Sequence, residues 1–250
     1  MPADLRVTLL QHTPFPERAV ASAGRLCYAP VSAAELKNEM ADDEVRRLLR
    51  GLVRSGHHSA LEHASFTFAI DGISRACSHQ LVRHRVASYS QQSKRYVRFS
   101  NDEEFVIPPR IMESPEAREI FYEAMRNARL SYERLVEIGL AEGRGKESVF
   151  EDARFVLPNA AETKIVVTMN ARELRHFFSL RCCRRAQWEI NRLAWAMRYL
   201  VSTVAPVLFE GTGPGCMTSG CPEGKMSCGN PYSETEIDSM ELMRSVSPVA

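Results

Sequence analysis

The most chemically distinctive stretch of the sequence is a basic segment rich in hydrogen-bond donors. Residues 83–96 read RHRVASYSQQSKRY, which combines arginine and lysine with serine hydroxyls and glutamine amides and contains no acidic residue. Guanidinium groups match phosphate oxygens in a bidentate manner, and hydroxyl and amide donors can satisfy the oxygens that remain. The segment therefore predicts a site for an anionic ligand with many hydrogen-bond acceptors.

A basic run can also be an ordinary solvated surface. The flanking sequence favours a segment that is partly folded into the protein, because an apolar periodic stretch from Ile73 to Val82 leads into it. Tyr89, Tyr96 and Phe99 are interleaved with the polar residues. We therefore expect a helix over 73–82 that delivers the basic segment to a binding site.

A second cluster with the composition of a ligand site lies between residues 170 and 185. The β-branched run Lys164–Met169 predicts a strand, and Asn170 is a candidate N-cap for the helix that follows. Free N–H groups at a helix N-terminus favour an anion, and an asparagine amide can pair with the edge of a base. Arginines that only line a helix surface are the alternative. The cluster contains Asn170, Arg172, Arg175, His176, Arg181, Arg184 and Arg185, with Arg154 as a separate cation.

Histidine and cysteine clusters raise the question of a metal. Residues 56–63 read GHHSALEH, but their order differs from the His-Glu-x-x-His pattern, so a polar segment that presents donors to a ligand is favoured and no metal is predicted there. Near the C-terminus, Cys216, Cys221 and Cys228 supply three soft ligands without an evident fourth, so structural zinc and free thiols both stay open. Cys182-Cys183 is interpreted as a buried helical pair, although the nearby cations could stabilise a thiolate.

Composition limits the functional classes. The 250 residues are 44% hydrophobic and 25% charged, which is ordinary for a globular protein with a real core. The net charge of +1 argues against a general nucleic-acid-binding module, which remains the rival hypothesis on the strength of the basic segment and the cysteines. Without a secretory signal or an apolar run of about 18 residues, we expect a cytoplasmic protein with reduced thiols and no membrane span.

Local patterns predict a mixture of strands and helices. Val7–Leu10 and Ala64–Ile70 are expected to be strands, with a turn at Asp71-Gly72 and chain breaks at Pro14 and Pro16. Helices are expected at 19–27, from Asp42 to about Val53, from Ser114-Pro115 to about Gly139, and from Asn170 to about Leu200 with a break at 181–185. In the long helix, a stripe interpreted as core packing is formed by Ile120, Phe121, Ala124, Ala128, Tyr132 and Leu135.

Residues 1–210 are expected to form one domain, and residues 211–250 a Cys/Gly/Pro-rich extension. The tail after Asn230 is acidic and weakly patterned, so it is expected to be mobile.

These motifs together resemble the signature of the flavin-dependent thymidylate synthases. The signature comprises Arg83-His84-Arg85, two residues, Ser88, four residues, Ser93 and then Arg95-Tyr96. Other segments match in the same order across most of residues 50–200. They are Gly56–His63, Phe66–Phe68, Arg154 with Leu157-Pro158, Asn170–Arg172 and Leu180–Ile190.

The resemblance implies an α+β fold in which a mixed or antiparallel sheet packs with long helices, as a single domain in a homotetramer with active sites between subunits. It implies a methyltransferase that converts dUMP to dTMP. The cofactor would be FAD, reduced by NADPH and serving as hydride donor, and 5,10-methylenetetrahydrofolate would supply the carbon. The expected partners are dUMP, folate, NADPH and further copies of the chain, with neither nucleic acid nor membrane.

Site residues follow from the resemblance by position. Flavin would be bound by His57, Ser59, Arg83, His84, Arg85, Gln91, Asn170, Ala171, Arg172 and His176, with His57 near either flavin or folate. dUMP would be bound by Gln80, Leu81, Val82, Arg83, Gln91, Gln92, Ser93, Lys94, Arg95, Arg154 and Arg181. Arg181 would be catalytic, because a fixed cation stabilises charge that develops on the uracil ring, by roughly 3–4 kcal/mol. No cysteine nucleophile is then required.

Three positions depart from the family pattern. Gln91 stands where some members carry glutamate, so a carboxylate there is not essential. His176 replaces an asparagine, which makes the charge at this position pH-dependent. Arg185 stands where a histidine is frequent, so a proton-transfer role at this position is in doubt.

Overall fold

The computed structural model describes residues 3–99, 105–217, 220–233 and 236, and the backbone of 246–248. In this part of the chain, helices accompany a sheet with the strand order β3-β4-β2-β1-β5, in which β1 and β5 are parallel. The strands are β1 (Arg6–His12), β2 (Ser65–Ser74), β3 (Ala87–Gln91), β4 (Glu162–Asn170) and β5 (Val246–Pro248). The predicted α+β class is confirmed.

The described helices include all of the predicted ones. The helices are α1 (Pro16–Leu26), α2 (Ala33–Glu39), α3 (Asp42–Arg54), α4 (Arg75–Leu81), α5 (Pro109–Glu113), α6 (Pro115–Ala141), α7 (Lys146–Ala153), α8 (Ala171–Arg181) and α9 (Trp188–Val204). Of these, α2, α5 and α7 were not predicted. Short 3-10 helices cover His58–His63, Arg154–Val156, Gly215–Met217 and Gly224–Met226. Ser114 and Asn170 accept N–H bonds from the first turns of α6 and α8, so both predicted N-caps are confirmed.

The chain divides into two compact units. The first unit lies within residues 1–5, 70–82 and 90–165, and the second within 6–69, 83–89 and 166–250. In the first unit, a cluster around Phe99, Phe105 and Tyr132 forms the core, and the Phe99 N–H donates to the Tyr132 hydroxyl at 3.1 Å.

The core of the second unit contains edge-to-face aromatic pairs, with Phe209 5.3 Å from Phe66 and 6.0 Å from Phe178 between ring centroids. Helix α9 of this unit carries buried residues along most of its length, which confirms the prediction of burial on more than one face. The break predicted between α8 and α9 is also confirmed, because α8 ends at Arg181 and α9 begins at Trp188.

The predicted turn at Asp71-Gly72 is wrong. Strand β2 continues to Ser74, which caps helix α4 from Arg75. Gly72 has a φ of +71°, and its N–H donates to Glu162 Oε1 at 3.1 Å. A Cβ at this position would lie 1.9 Å from the Asp4 carbonyl oxygen. The glycine therefore permits a close backbone approach within an extended strand rather than a chain reversal.

Two further expectations need correction. Pro16 does not break the chain but begins α1, where a proline loses no helical hydrogen bond. In α6, the stripe interpreted as core is only partly buried, since Tyr132 is buried whereas Ile120 is 62% and Leu135 42% exposed. The buried residues of α6 lie near its C-terminal end, so most of the helix leaves apolar side chains at the surface of this chain.

Within the described residues, no helix is both long and apolar enough to cross a bilayer. The domain boundary predicted after residue 210 stays a prediction, and most of the tail expected to be mobile lies outside the described residues.

Candidate active site

A basic cavity of about 520 Å³ lies within the first unit. Helix α4, the segment that follows β3 and the loop that precedes β4 supply its walls. Its lining residues are Arg75, His79, Gln91, Gln92, Ser93, Lys94, Arg154, Phe155, Leu157, Pro158, Asn159 and Ala161. The described lining includes no aspartate or glutamate, so its electrostatic character favours an anion.

Hydrogen bonds within the first unit position the predicted nucleotide residues on this wall. The Gln91 amide donates to Ser78 Oγ at 3.1 Å and to Thr163 Oγ1 at 3.0 Å. The Gln92 N–H donates to the Lys164 carbonyl at 2.8 Å, which ties the segment after β3 to β4. Lys94 is buried, with its ammonium 4.8 Å from the centroid of the Phe99 ring. The side chains at 91–94 are therefore anchored rather than freely solvated.

Two guanidinium groups share the cavity. Burial, and then the charge of Arg154, lowers the pKa of Arg75. Arg154 is oriented by its Nε–H, which donates to the Glu151 carbonyl at 3.2 Å. Like charges that destabilise one another in the protein alone become favourable when they bind a phosphate.

The sequence reasoning missed Arg75 and His79. Both belong to α4, four residues apart, and this spacing places them on one helical face. The stretch 73–82 contains both residues at helical spacing, but its apolar periodicity predicts only a helix.

Other predicted nucleotide residues lie outside this lining. Arg95 is instead 2.7 Å from Glu147 and 3.1 Å from Glu151. Gln80, Leu81 and Val82 belong to the end of α4 and its C-cap, and Leu81 is fully buried. Arg83 and Arg181 belong to the second unit.

A wide cavity of about 880 Å³ lies within the second unit. It contains three of the predicted flavin residues, Asn170, Arg172 and His176. The lining residues are Val53, His58, Leu61, Glu62, Val86, Asn170, Arg172, Glu173, Arg175, His176, Ser179, Glu210, Gly211, Thr212 and Gly213.

The N-terminus of α8 forms one wall of the wide cavity. Asn170 Oδ1 accepts the Glu173 N–H at 2.9 Å, and the buried Ala171 donates its N–H to the Ala64 carbonyl at 2.8 Å. Arg172 forms an ion pair with Glu62. The first turn of α8 thus presents an oriented amide and a guanidinium to this cavity, as the sequence pattern predicted.

A chain of three hydrogen-bonding side chains, of which His84 and Glu173 are buried and Arg181 is partly buried, lies within the second unit. Arg181 donates its Nε–H to His84 Nε2 at 3.1 Å, and His84 Nδ1 lies 3.2 Å from Glu173 Oε1. Burial, followed by the charges of Arg181 and His176, lowers the pKa of His84 to about 4. Burial raises the pKa of Glu173. His84 is therefore neutral near pH 7 and accepts from the predicted catalytic arginine.

The remaining predicted flavin residues are dispersed. His57 and Ser59 line a separate cavity of about 200 Å³ with His63. Arg83 and Arg85 have exposed side chains and do not line the wide cavity. The wide cavity thus collects part of the predicted flavin set.

Arginines 184 and 185 are occupied by the C-terminal extension. Arg184 lies 2.6 Å from Glu236 and 3.9 Å from the Tyr232 ring centroid, and Arg185 lies 2.6 Å from Glu223. Their assignment to a ligand cluster therefore gains no geometric support.

The extension and the loop between α8 and α9 enclose a cavity of about 820 Å³ that Cys183, Cys216, Cys221 and Cys228 line as free thiols. Among the described residues, no group of three or more potential ligands is close enough to hold a metal ion.

The chain matches the family model described as thymidylate synthase complementing protein over residues 8–207. It belongs to this family. The match ends close to the boundary expected at residue 210 and includes all residues of both the basic and the wide cavity except 210–213.

Relatives support the same placement. The flavin-dependent thymidylate synthase of Geobacter sulfurreducens is 56% identical over 226 residues, which cover 90% of this chain and 94% of the relative. That of Pyrococcus abyssi is 40% identical over 247 residues, covering 96% and 98%. The resemblance inferred from the signature is confirmed.

A solved structure is also similar. The UMP/dUMP methylase PolB from Streptomyces cacaoi, bound with 5-Br dUMP, superposes with a TM-score of 0.70 at 28% identity. The match covers 83% of this chain and 94% of that one.

Proposed function

We propose that this chain is a flavin-dependent thymidylate synthase that methylates dUMP to dTMP. The carbon comes from 5,10-methylenetetrahydrofolate, and NADPH reduces the FAD. The family membership and the names of the relatives support this reaction. The observation that carries it is the basic cavity, where the side chains of Gln91–Lys94, which include the signature residue Ser93, meet Arg154 without a described acidic neighbour.

The basic cavity is assigned to dUMP. Arg75, Arg154 and Lys94 supply fixed positive charge for the phosphate, and the Ser93 hydroxyl is a further donor. Gln91 and Gln92 offer amide groups with both donor and acceptor capacity, which suits a sugar or a base edge. The relation to PolB, whose structure contains a dUMP analogue, supports the assignment.

The wide cavity fits part of a flavin dinucleotide. The volume of about 880 Å³ is large enough for part of the cofactor, and Asn170, Arg172 and His176 offer polar groups there. Because Glu62, Glu173 and Glu210 also line the cavity and Arg172 is paired with Glu62, the lining suits the polar, uncharged parts of the cofactor as well as its phosphates. When bound, the flavin supplies the hydride. The protein's task is to hold the cofactor and to orient these donors toward it.

Arg181 is assigned the activating role. Its Nε–H donates to His84, so the two terminal nitrogens of the guanidinium are the groups that would bind the uracil ring. Negative charge builds on the uracil ring as N3 loses its proton and C5 becomes nucleophilic. A preorganised cation stabilises this charge by roughly 3–4 kcal/mol, equivalent to a rate factor of about 10²–10³.

The proposal includes a homotetramer with active sites between subunits. The support on this chain is α6, whose 27 residues bury few side chains within its own unit. Ile120 is 62% and Leu130 53% exposed, and Leu135, Ile138 and Leu140 are exposed on the same helix. Apolar side chains on so long an element are typical of a helix that packs in an oligomer.

The purified protein tests the proposal directly. Added FAD should give a bound-flavin visible spectrum and raise the melting temperature, and dTMP should form from dUMP only when the folate and NADPH are both present. Arg181→Ala should retain the flavin spectrum and lose dTMP formation by about 10²-fold or more. The matched control is Arg185→Ala, which removes an arginine paired with Glu223. A protein whose spectrum and melting temperature ignore FAD contradicts the proposal.

A further inference from the structure

Glu173 lines the wide cavity, but its carboxylate contacts His84, the middle member of the side-chain series Glu173–His84–Arg181. The side chains of His84 and Glu173 are only 5% and 9% exposed, so water has little access to the contact between them. The contact joins residues 89 positions apart, which requires the α8 first turn and the segment before β3 to be held together.

The chemistry of Arg181 decides the tautomer of His84. A guanidinium Nε always carries a proton, so His84 Nε2, 3.1 Å away, must present its lone pair. A neutral imidazole then carries its proton on Nδ1, which faces Glu173 Oε1 at 3.2 Å. With the carboxylate as acceptor, every group in the chain has a compatible role.

The surroundings fix the ring as well as its proton. The Tyr89 hydroxyl donates to the His84 carbonyl at 2.8 Å, and Phe177 packs edge-on against the imidazole with centroids 4.8 Å apart. Glu173 itself is positioned because its N–H is capped by Asn170 Oδ1. These contacts hold the imidazole ring in place. If the proton moves to Nε2, the ring has little freedom to rotate and restore its hydrogen bond with Arg181.

We propose that Glu173 is a positioning residue for catalysis, because it holds His84 in the Nδ1–H tautomer that accepts from Arg181 and thereby orients the guanidinium. This inference rests on the function proposed above for Arg181. Glu173 needs no contact with substrate in this role. Without the carboxylate, the Nε2–H tautomer becomes accessible, and its N–H would oppose the N–H of Arg181.

The energetics separate this role from ordinary stabilisation. Burial raises the pKa of Glu173, which means that the carboxylate is costly to keep in the folded chain. Replacing both partners of such a contact by apolar groups is frequently neutral, whereas removing one partner leaves the other unsatisfied. Loss of a residue present for stability alone would lower the melting temperature without a specific loss of kcat. Loss of a positioning residue lowers kcat, and a side chain that restores the hydrogen bond restores kcat.

Two substitutions test the proposal in the full-length, FAD-loaded protein. Glu173→Leu removes the acceptor, and we expect kcat to fall about 100-fold with little change in the KM for dUMP. The melting temperature should also fall, because His84 is left with an unpaired buried ring nitrogen. Glu173→Gln can still accept the Nδ1 proton through its amide oxygen, so it should recover much of the loss in kcat. Glu17→Gln is the matched control, since this carboxylate only accepts backbone N–H bonds from Val207 and Leu208.

A direct readout of the tautomer keeps the proposal independent of activity. In ¹⁵N-histidine-labelled protein, with His84 assigned by His84→Gln, the ring should carry its proton on Nδ1 in the wild type and in Glu173→Gln. The Leu variant should show protonation at Nε2. If wild-type protein makes no dTMP, the function proposed above fails, while the tautomer result still tests the chain. Unchanged kcat in the Leu variant, or equal losses in both variants together with lowered melting temperatures, would overturn the positioning role.

Discussion

The side-chain amide of Gln91 donates a 3.0 Å hydrogen bond to the hydroxyl of Thr163, which is fully buried. The same amide nitrogen lies 3.1 Å from Ser78 Oγ, so one side chain links β3, β4 and α4 within the first unit. The wall of the basic cavity therefore depends on the amide group at this position.

Substitution at Gln91 separates hydrogen bonding from charge. Gln91→Leu leaves the buried Thr163 hydroxyl without its donor, and the free energy of unfolding should fall by about 1–3 kcal/mol. Gln91→Glu should remain within about 1 kcal/mol of wild type, because the hydroxyl can rotate and donate instead. The added negative charge should nevertheless weaken dUMP binding. Urea unfolding and dUMP titration measure both effects, and equal destabilisation by the two variants would contradict the argument.

The basic cavity should bind phosphate at the expense of the stability of the free protein. Arg154→Ala removes the charge that helps to lower the pKa of Arg75. We expect the melting temperature without ligand to stay the same or rise, and the KM for dUMP to increase about tenfold or more. The control is Arg134→Ala, since Arg134 is a surface residue paired with Glu137 and should change neither quantity. A lowered melting temperature with an unchanged KM would argue against a phosphate site.

Much of the basic cavity could be predicted because its residues are close in sequence. Gln91 to Lys94 lie in one segment with an unusual composition, and the cavity adds Arg154 to them. Arg75 and His79 were not predicted as site residues, because they belong to a helical segment whose apolar periodicity is equally typical of core packing. Sequence periodicity identifies a face but not what the face contacts.

The errors in the fold have a related cause. Gly72 looked like a turn because Asp-Gly is a strong turn signal, but the contact that explains it is with the distant backbone of Asp4. The stripe of α6 looked like core because an exposed apolar face and a buried one share the same periodicity. Glu173 had no role in the sequence analysis, because its contact with His84 joins residues 89 positions apart.

Acidification should weaken the folded state through His84. The pKa of this group is about 4 when folded against 6.5 when unfolded, because burial and then the charges of Arg181 and His176 disfavour its protonation. The unfolded chain therefore takes up a proton first as pH falls below 6.5, and stability is lost from there toward pH 4. Between about pH 6.5 and 5 the loss from this group is about 2 kcal/mol.

Comparison with a variant isolates the histidine contribution. The raised pKa of Glu173 acts in the opposite direction, since its contribution to stability is lost as pH rises. The free energy of unfolding is measured in urea for wild type and His84→Gln, at about pH 7.5 and pH 5 and at one protein concentration. The difference between the two proteins removes the contributions of Glu173 and the other groups that both share. Wild type should lose about 2 kcal/mol more than the variant. Equal losses would show that His84 does not titrate as stated.

The C-terminal extension should shield Cys183. Within the second unit, Tyr232 holds the extension against α9 and the loop before it, because its ring lies 3.9 Å from the Arg184 guanidinium and 5.2 Å from the Trp195 ring. Tyr232→Ala should increase the alkylation rate of Cys183 several-fold, measured by mass spectrometry against the exposed Cys27 as internal reference. Tyr96→Ala, at a tyrosine that is 65% exposed and not adjacent to a cysteine, is the control. An unchanged Cys183 rate would show that Tyr232 is not needed for shielding.

Two glycines with similar backbone angles should respond very differently to alanine. Gly72 and Gly143 have φ values of +71° and +75°, so alanine is strained at both by about 1–2 kcal/mol. At Gly72 the new Cβ would also lie 1.9 Å from the Asp4 carbonyl oxygen, whereas at Gly143 no atom of the described chain lies within 4 Å. Gly72→Ala should therefore cost more than about 3 kcal/mol in urea unfolding, because the backbone must move as well. Similar costs at the two positions would mean that the Asp4 segment adjusts freely, and that Gly72 is required for its φ angle alone.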